Sequence, residues 1–268
     1  MEFKVNVKLM GGLGNYLFQI AAAYSYGLEH NKGVLITYGD SVVVHKNILT
    51  YSDNILHSLH MESNTNLSTY SRYQEPHFHY VKIPPIEGNI HLKGYFQSEK
   101  YFKEYEEVIQ KLFEYPEEIV NNVRDNYLSV LDGGACSLHV RRGDYLTKPN
   151  IHPTQTLDYY KKAISYIPKD NKLLVFSDDI KWCKENLTTL FDNEIIFIEG
   201  NADYVDLLLM SMCDNNIICN SSFSWWGAWL NKNRDKKVIT PLNWYLLSGL
   251  KYNNLENISF LDETKIIY

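Results

Sequence analysis

The chain has 268 residues, 45% hydrophobic and 22% charged, the composition of an ordinary globular protein with room for one large or two small domains. A formal charge of −6 argues against nucleic acid as the main partner, since phosphate-backbone binding wants a basic surface, but it leaves room for a local basic pocket around one nucleotide. Cys136, Cys183, Cys213 and Cys219 make no CxxC pair, so they read as buried, reduced thiols rather than a zinc or dithiol site.

The opening run MEFKVNVKLMGG lacks the basic-then-apolar order of a signal peptide, and no stretch approaches the length of a membrane span, so the expectation is an intracellular protein. Residues 5–10 read as a strand, followed by the turn MGGLGN, a helix over 17–30 and a second strand over 33–38. Residues 40–90 mix Asn, Ser, His and Tyr with weak periodicity. A strand follows at 91–96, then an acidic helix over 99–113, and a domain boundary is expected near 125–134. The second half has the clearer rhythm: β-branched runs at 137–140, 172–176, 194–198, 216–219 and 236–240 alternate with helical patterns at 157–167, 180–187, 202–212 and 224–230. Short buried strands alternating with helices imply a parallel, Rossmann-like sheet covered on both faces. Asp158 and Asp203 stand near helix starts, where a negative charge offsets unpaired N–H groups. The 21 tyrosines read mainly as amphipathic core-edge residues, with stacking on sugar rings a second use.

Three strand-to-loop junctions in the second half carry chemistry. In HVRRGDY (139–145), His139, Arg141, Arg142 and Asp144 gather where a strand empties into a loop, and ligands of open α/β sheets bind at strand carboxyl ends. An arginine fork there suits a pyrophosphate. Asp178 and Asp179 end the following strand, either accepting from a guanine edge or capping the helix that starts near Ile180. In NSSFSWWGAWL (220–230), Asn220, the hydroxyls of Ser221, Ser222 and Ser224, and the amides of a helix start offer a phosphate cradle. Trp225, Trp226 and Trp229 read as packing. In the first half, Gly11, Gly12, Gly14 and Asn15 form a glycine turn ahead of a helix. A dinucleotide fingerprint fails there, because Leu17 holds the third glycine position, which leaves a tight turn or a cleft-lining loop.

MGGLGNYLFQIA, GYFQSEKYF, HVRRGDY, FSDDIKWCKENL and DYVDLLLMSMCDNNIICNSSFSWWGAWLN together resemble the α-1,2-fucosyltransferases of glycosyltransferase family 11, over most of residues 8–231. One departure is Tyr16, where that family usually has glutamine. The resemblance implies a GT-B-like α/β fold: two Rossmann-like halves with parallel sheets facing a central cleft, residues 1–130 on the acceptor side and 131–268 binding the donor. It implies inverting, metal-independent transfer from GDP-β-L-fucose, a co-substrate rather than a cofactor, to the 2-hydroxyl of a galactoside, on an oligosaccharide or lipid-linked glycan. Arg141 would then hold the β-phosphate, with Arg142 assisting or anchoring the loop through an ion pair to Asp144. His139 and the Asp178/Asp179 pair would meet guanine or ribose, Ser221 and Ser222 the pyrophosphate, and Asn15 with the backbone of Gly12 to Gly14 the fucose. Asp144 is a candidate base, or an orienter of arginine. The expected location is cytoplasmic, with peripheral contact at the inner face of the plasma membrane left open. Competing readings are a GDP-fucose enzyme of α-1,3 or α-1,6 linkage, a non-catalytic glycan-binding protein, and a nicotinamide oxidoreductase.

Overall fold

A computed structural model describes residues 3–37, 47–63, 65–147, 149–242 and 244, and the backbone of 264–267. Along the chain, two compact units part between Pro116 and Glu117. Both are built on parallel sheets, the architecture expected of each half.

The first unit opens with β1 (Lys4–Val7) and α1 (Leu13–Glu29), followed by β2 (Gly33–Thr37), β3 (Met61–Glu62), β4 (Ser71–Gln74) and β5 (Ile90–Lys93). The strands line up as β3-β2-β1-β5-β4, every pair parallel. Ala21, Ala22 and Ala23 are buried in α1, short side chains that let a helix approach the sheet closely. Asn6, fully buried in the central strand, binds Leu35 O at 2.9 Å and Thr37 Oγ1 at 3.1 Å on β2. Its Oδ1 takes the Nδ1–H of His91 on β5 at 2.6 Å, so the amide is satisfied across three strands.

The expected helix over 99–113 is broken. Two 3-10 turns, Glu99–Tyr101 and Lys103–Tyr105, precede α2 (Glu106–Leu112). The cause is aromatic burial: Tyr101 stands edge-on to Phe96 at 5.3 Å and Phe102 packs on Phe18 at 6.1 Å. With Phe102 at φ −141 and ψ 2, the helical path is interrupted there.

The second unit runs α3 (Glu117–Leu131), β6 (Ala135–Val140), α4 (Leu157–Ile164), β7 (Lys172–Ser177), α5 (Ile180–Leu187), β8 (Ile195–Phe197), α6 (Asp203–Met212), β9 (Asn215–Ile217), α7 (Ser222–Trp229), β10 (Val238–Pro241) and β11 (Thr264–Ile267). Its sheet is ordered β11-β10-β9-β6-β7-β8 and is parallel throughout. All six residues of β6 are buried, as a strand covered on both faces requires. Trp225, Trp226 and Trp229 are buried and pack against one another, the packing role expected of them. The four cysteines are buried and free.

A boundary at 130/131 would give α3 to the first half. The structure gives it to the second, because α3 docks on α6 and Tyr127 exchanges hydrogen bonds with Asn201 at 2.7–3.0 Å. Helices α4 and α7 are each capped by a side-chain hydroxyl. Thr156 Oγ1 accepts from Tyr159 N at 3.2 Å, and Ser221 Oγ accepts from Phe223 N at 3.4 Å.

Candidate active site

Strands β9, β6 and β7 are neighbours, so the loops leaving their carboxyl ends emerge side by side. That adjacency brings NSSFSWW, HVRRGDY and FSDD into one site, the place where open parallel sheets bind ligands. Arg141 leaves β6 and is clamped by two carboxylates. Its Nε and Nη2 donate to Asp144 Oδ1 at 3.0 and 2.8 Å, and Nε lies 3.2 Å from Asp178 Oδ2. Burial works against its charge, but Asp178 and Asp144 outweigh burial and hold its pKa above the usual value. Among the described residues its Nη1 makes no hydrogen bond and its Nη2 makes one, so three of its five N–H donors have no protein acceptor.

Arg142 is held differently. Its Nε donates to Asp179 Oδ2 at 3.1 Å while its guanidinium lies 4.0 Å from the ring centre of Trp182, a carboxylate on one side and an aromatic face on the other. An ion pair between Arg142 and Asp144 is therefore replaced by two separate pairs, Arg141–Asp144 and Arg142–Asp179. Asp179 also caps α5 by accepting from Trp182 N at 3.2 Å. Asp178 accepts the Arg142 backbone N–H at 2.9 Å. The loop passes so close that a Cβ on Gly143 would lie 2.4 Å from Asp178 Oδ2, which explains the glycine.

The other predicted residues of this half split between loop surface and loop scaffold. His139 is buried, with Nδ1 3.2 Å from Cys219 Sγ, and burial followed by the Arg141 charge pushes its pKa down to about 3. It is thus a neutral ring under the site. Asn220 is also buried: its Nδ2 donates to the carbonyls of Pro153 and Trp244 at 3.0 Å, and its Oδ1 accepts from Gln155 at 3.0 Å. Tyr145, in the same motif as the arginines, donates to Asn220 O at 2.7 Å and sits 5.8 Å below the Arg141 guanidinium. Its hydroxyl ties the β6 loop to the β9 loop. Tyr159 and Tyr160 do the same from below, donating to Ile218 O at 2.5 Å and His139 O at 3.2 Å. Ser221 and Ser222 stand at the start of α7, where helix amides face outward.

Gly12, Gly14 and Asn15 belong to the first unit. Gly11 has φ +87, and a Cβ there would strike Asn15 Nδ2 at 2.2 Å, so that turn needs glycine. Gly12 precedes α1, its carbonyl accepting from Asn15 N and Tyr16 N at 3.0 and 3.1 Å; a Cβ on it would meet open space. Gln97 donates to Asn15 Oδ1 at 2.7 Å, joining MGGLGN to GYFQSEKYF. Gln19, fully buried, both accepts from Met10 N at 2.9 Å and donates to Met10 O at 3.2 Å, closing the turn from behind. Tyr16 is core: it has no exposed surface and meets Tyr51 edge-on at 6.4 Å, and burial pushes its phenol up to about 12.

One residue escaped the sequence. Glu75 follows β4 and turns its carboxylate onto the chain leaving β5, accepting from Tyr95 N at 2.6 Å, from Phe96 N at 3.1 Å and from Tyr101 Oη at 3.5 Å. Burial pushes its pKa up to about 7, although the Phe96 and Tyr95 amides and the Tyr101 hydroxyl pull the other way. Its partners stand 20 to 26 residues away, so nothing near it in sequence announced it.

Two parallel-sheet α/β units are the architecture of GT-B-like glycosyltransferases. The family model described as "Glycosyl transferase family 11" matches residues 2–254, and the chain belongs to that family. An α-1,2-colitosyltransferase of Escherichia coli is 31% identical over 90% of this chain and 92% of its own length. A galactoside 2-α-L-fucosyltransferase of Caenorhabditis elegans is 32% identical over 52% of this chain and 42% of its own. Among solved structures, the α-1,6-fucosyltransferase NodZ co-crystallised with GDP shares the fold, with a TM-score of 0.57 at 15% identity over 85% of this chain and 92% of that one. No helix among the described residues is long and apolar enough to cross a membrane.

Proposed function

We propose that the chain transfers L-fucose from GDP-β-L-fucose to the 2-hydroxyl of a terminal galactoside, with inversion and without a metal. The observation that carries this reading is Arg141, pinned at the end of β6 by Asp144 and Asp178 beside the start of α7. As the C1–O bond to GDP breaks, negative charge grows on the β-phosphate while the sugar becomes oxocarbenium-like. A guanidinium already fixed in place stabilises that leaving group with no reorganisation at the moment of reaction. The amides opening α7 and the Ser221 and Ser222 hydroxyls add neutral donors. Arg142, sandwiched between Asp179 and Trp182, anchors the loop.

Asp144 acts as the orienter of Arg141, because one of its oxygens already takes two guanidinium N–H groups. Asp178 and Asp179 stand at the edge of the nucleotide site, and the buried His139 and Asn220 support its loops from beneath. The first unit takes the acceptor and the second the donor. The names of the relatives in Escherichia coli and Caenorhabditis elegans support the α-1,2 linkage. They also support a second reading of the donor: one relative, matched over 90% of this chain, is a colitosyltransferase, and colitose is fucose without its 3-hydroxyl. The discriminating experiment offers GDP-fucose and GDP-colitose, each with EDTA present, against a panel of galactosides, and reads the products by mass and linkage. A 2-linked fucosyl product is expected. Transfer from GDP-colitose alone would move the reading to the second donor, and products of another linkage would end the α-1,2 assignment.

A further inference from the structure

Glu75 lies in the wall of a cavity of about 310 Å³, open to solvent, at the carboxyl ends of β4 and β5 in the first unit. Met10, at the end of the β1 segment, closes one side, and Phe78 and Tyr95 line another with their rings stacked 6.2 Å apart. The volume is at the lower end of the range of small-ligand sites, and the wall has their mixed make-up: Met10, Pro76, Phe78 and Tyr95 give apolar surface, while Glu75, Gln74 and His77 bring polar groups.

A structural role for Glu75 accounts for part of this. Its carboxylate caps the amides of Tyr95 and Phe96, and Phe96 adopts φ +51, a left-handed conformation that an aromatic residue rarely takes. Capping does not require a charged group, and it does not require the cavity. Burial makes the charge costly here, and what offsets it are neutral donors, the Phe96 and Tyr95 amides and the Tyr101 hydroxyl. The surroundings are nevertheless built to keep it. A Cβ on Gly94 would fall 2.4 Å from Glu75 Cβ and 2.6 Å from its Oε2, so a glycine stands where the side chain must cross β5. Each carboxylate oxygen takes two contacts, but Phe96 N is shared between them at 3.1 Å and Tyr101 Oη stands at 3.5 Å, the outer limit of a hydrogen bond, so Oε1 is only weakly engaged. Phe78, 39% exposed, is a large apolar ring kept at the surface beside that acceptor. An aromatic face next to a carboxyl acceptor fits a neutral sugar ring, which offers an apolar C–H face and hydroxyl donors together.

We propose that the cavity walled by Glu75, Phe78 and Tyr95 binds the terminal hexopyranose of the acceptor, with Glu75 accepting hydrogen bonds from its hydroxyls and Phe78 covering its apolar face. The proposal rests on the transferase reading above for the identity of the sugar, and it assigns to β4, β5 and the loop after β4 the choice of acceptor.

The test uses the full chain and two probes, methyl β-galactopyranoside and lactose, by saturation-transfer NMR, in wild type and in Glu75→Gln and Phe78→Ala. Phe78 is exposed, so its removal leaves the fold intact and keeps the test decisive if Glu75→Gln fails to fold. Galactose-ring protons are expected to saturate in wild type, with binding roughly tenfold weaker in each variant. GDP affinity, followed by calorimetry on the same samples, is expected to stay unchanged. No galactoside signal in wild type, or equal signals in wild type and both variants, overturns the proposal. Loss of GDP binding in wild type would instead break the donor reading, while the sugar arm still decides the cavity.

Discussion

The arginine loop of the second unit and the Glu75 cavity of the first are both polar sites at strand ends, and they handle charge in opposite ways. Around β6, each guanidinium meets at least one carboxylate at 3.2 Å or less, so permanent charges are fixed by their partners before any ligand arrives. At Glu75 the carboxyl faces only neutral donors, and burial moves its pKa up to about 7. The first arrangement suits a group that must meet a dianion at any pH. The second suits a group that holds neutral hydroxyls and changes protonation near neutrality.

The largest expected effect breaks the first arrangement. Arg141→Ala should cost about 2.7–4 kcal/mol in the transfer step, roughly 100- to 1,000-fold in kcat/KM, with an unchanged circular dichroism spectrum. Turnover near the wild-type rate would remove Arg141 from the chemistry.

A smaller effect sharpens the contrast by pH. Below about 4.5 Glu75 is protonated in both folded and unfolded chains. As the pH rises from there to about 7, the unfolded chain ionises first and the folded state loses relative stability. Glu75→Gln removes that loss, so its stability relative to wild type should grow across this window and level off above pH 7, by at most about 3 kcal/mol. A difference flat from pH 4 to 8 in denaturant titrations would mean that the carboxyl carries no such burden.

The smallest effect tests the anchor. Arg142→Lys keeps the charge but loses the planar group that lies between Asp179 and Trp182, and should cost about 1–2 kcal/mol of stability in thermal melts. A loss of transfer as large as that of Arg141→Ala would show that Arg142 also meets the leaving group.

How much of this was legible follows the same divide. The second-half strands and helices declared themselves because fully buried parallel strands are continuous apolar runs between helical patterns, and HVRRGDY, FSDD and NSSFSWW each follow such a strand. Their meeting then follows from the sheet order. The partners of the arginines were not legible: Asp144 and Asp179 both stand within reach of the loop, and only the geometry assigns one to each arginine. His139 and Asn220 look in sequence like ligand contacts, but burial turns them into scaffold beneath the loops. In the first unit, β3 has only two residues and β4 four, too short for an alternating pattern to stand out. Glu75 was hidden for another reason: its significance lies in amides contributed by a distant turn and in the absence of a side chain at Gly94.

The central claim is that Arg141 and the start of α7 hold the departing diphosphate, and a crystal of the protein soaked with GDP tests it most directly. The account predicts the β-phosphate within hydrogen-bond distance of the Arg141 guanidinium and of the Ser221–Ser222 segment. A diphosphate bound away from both would contradict it.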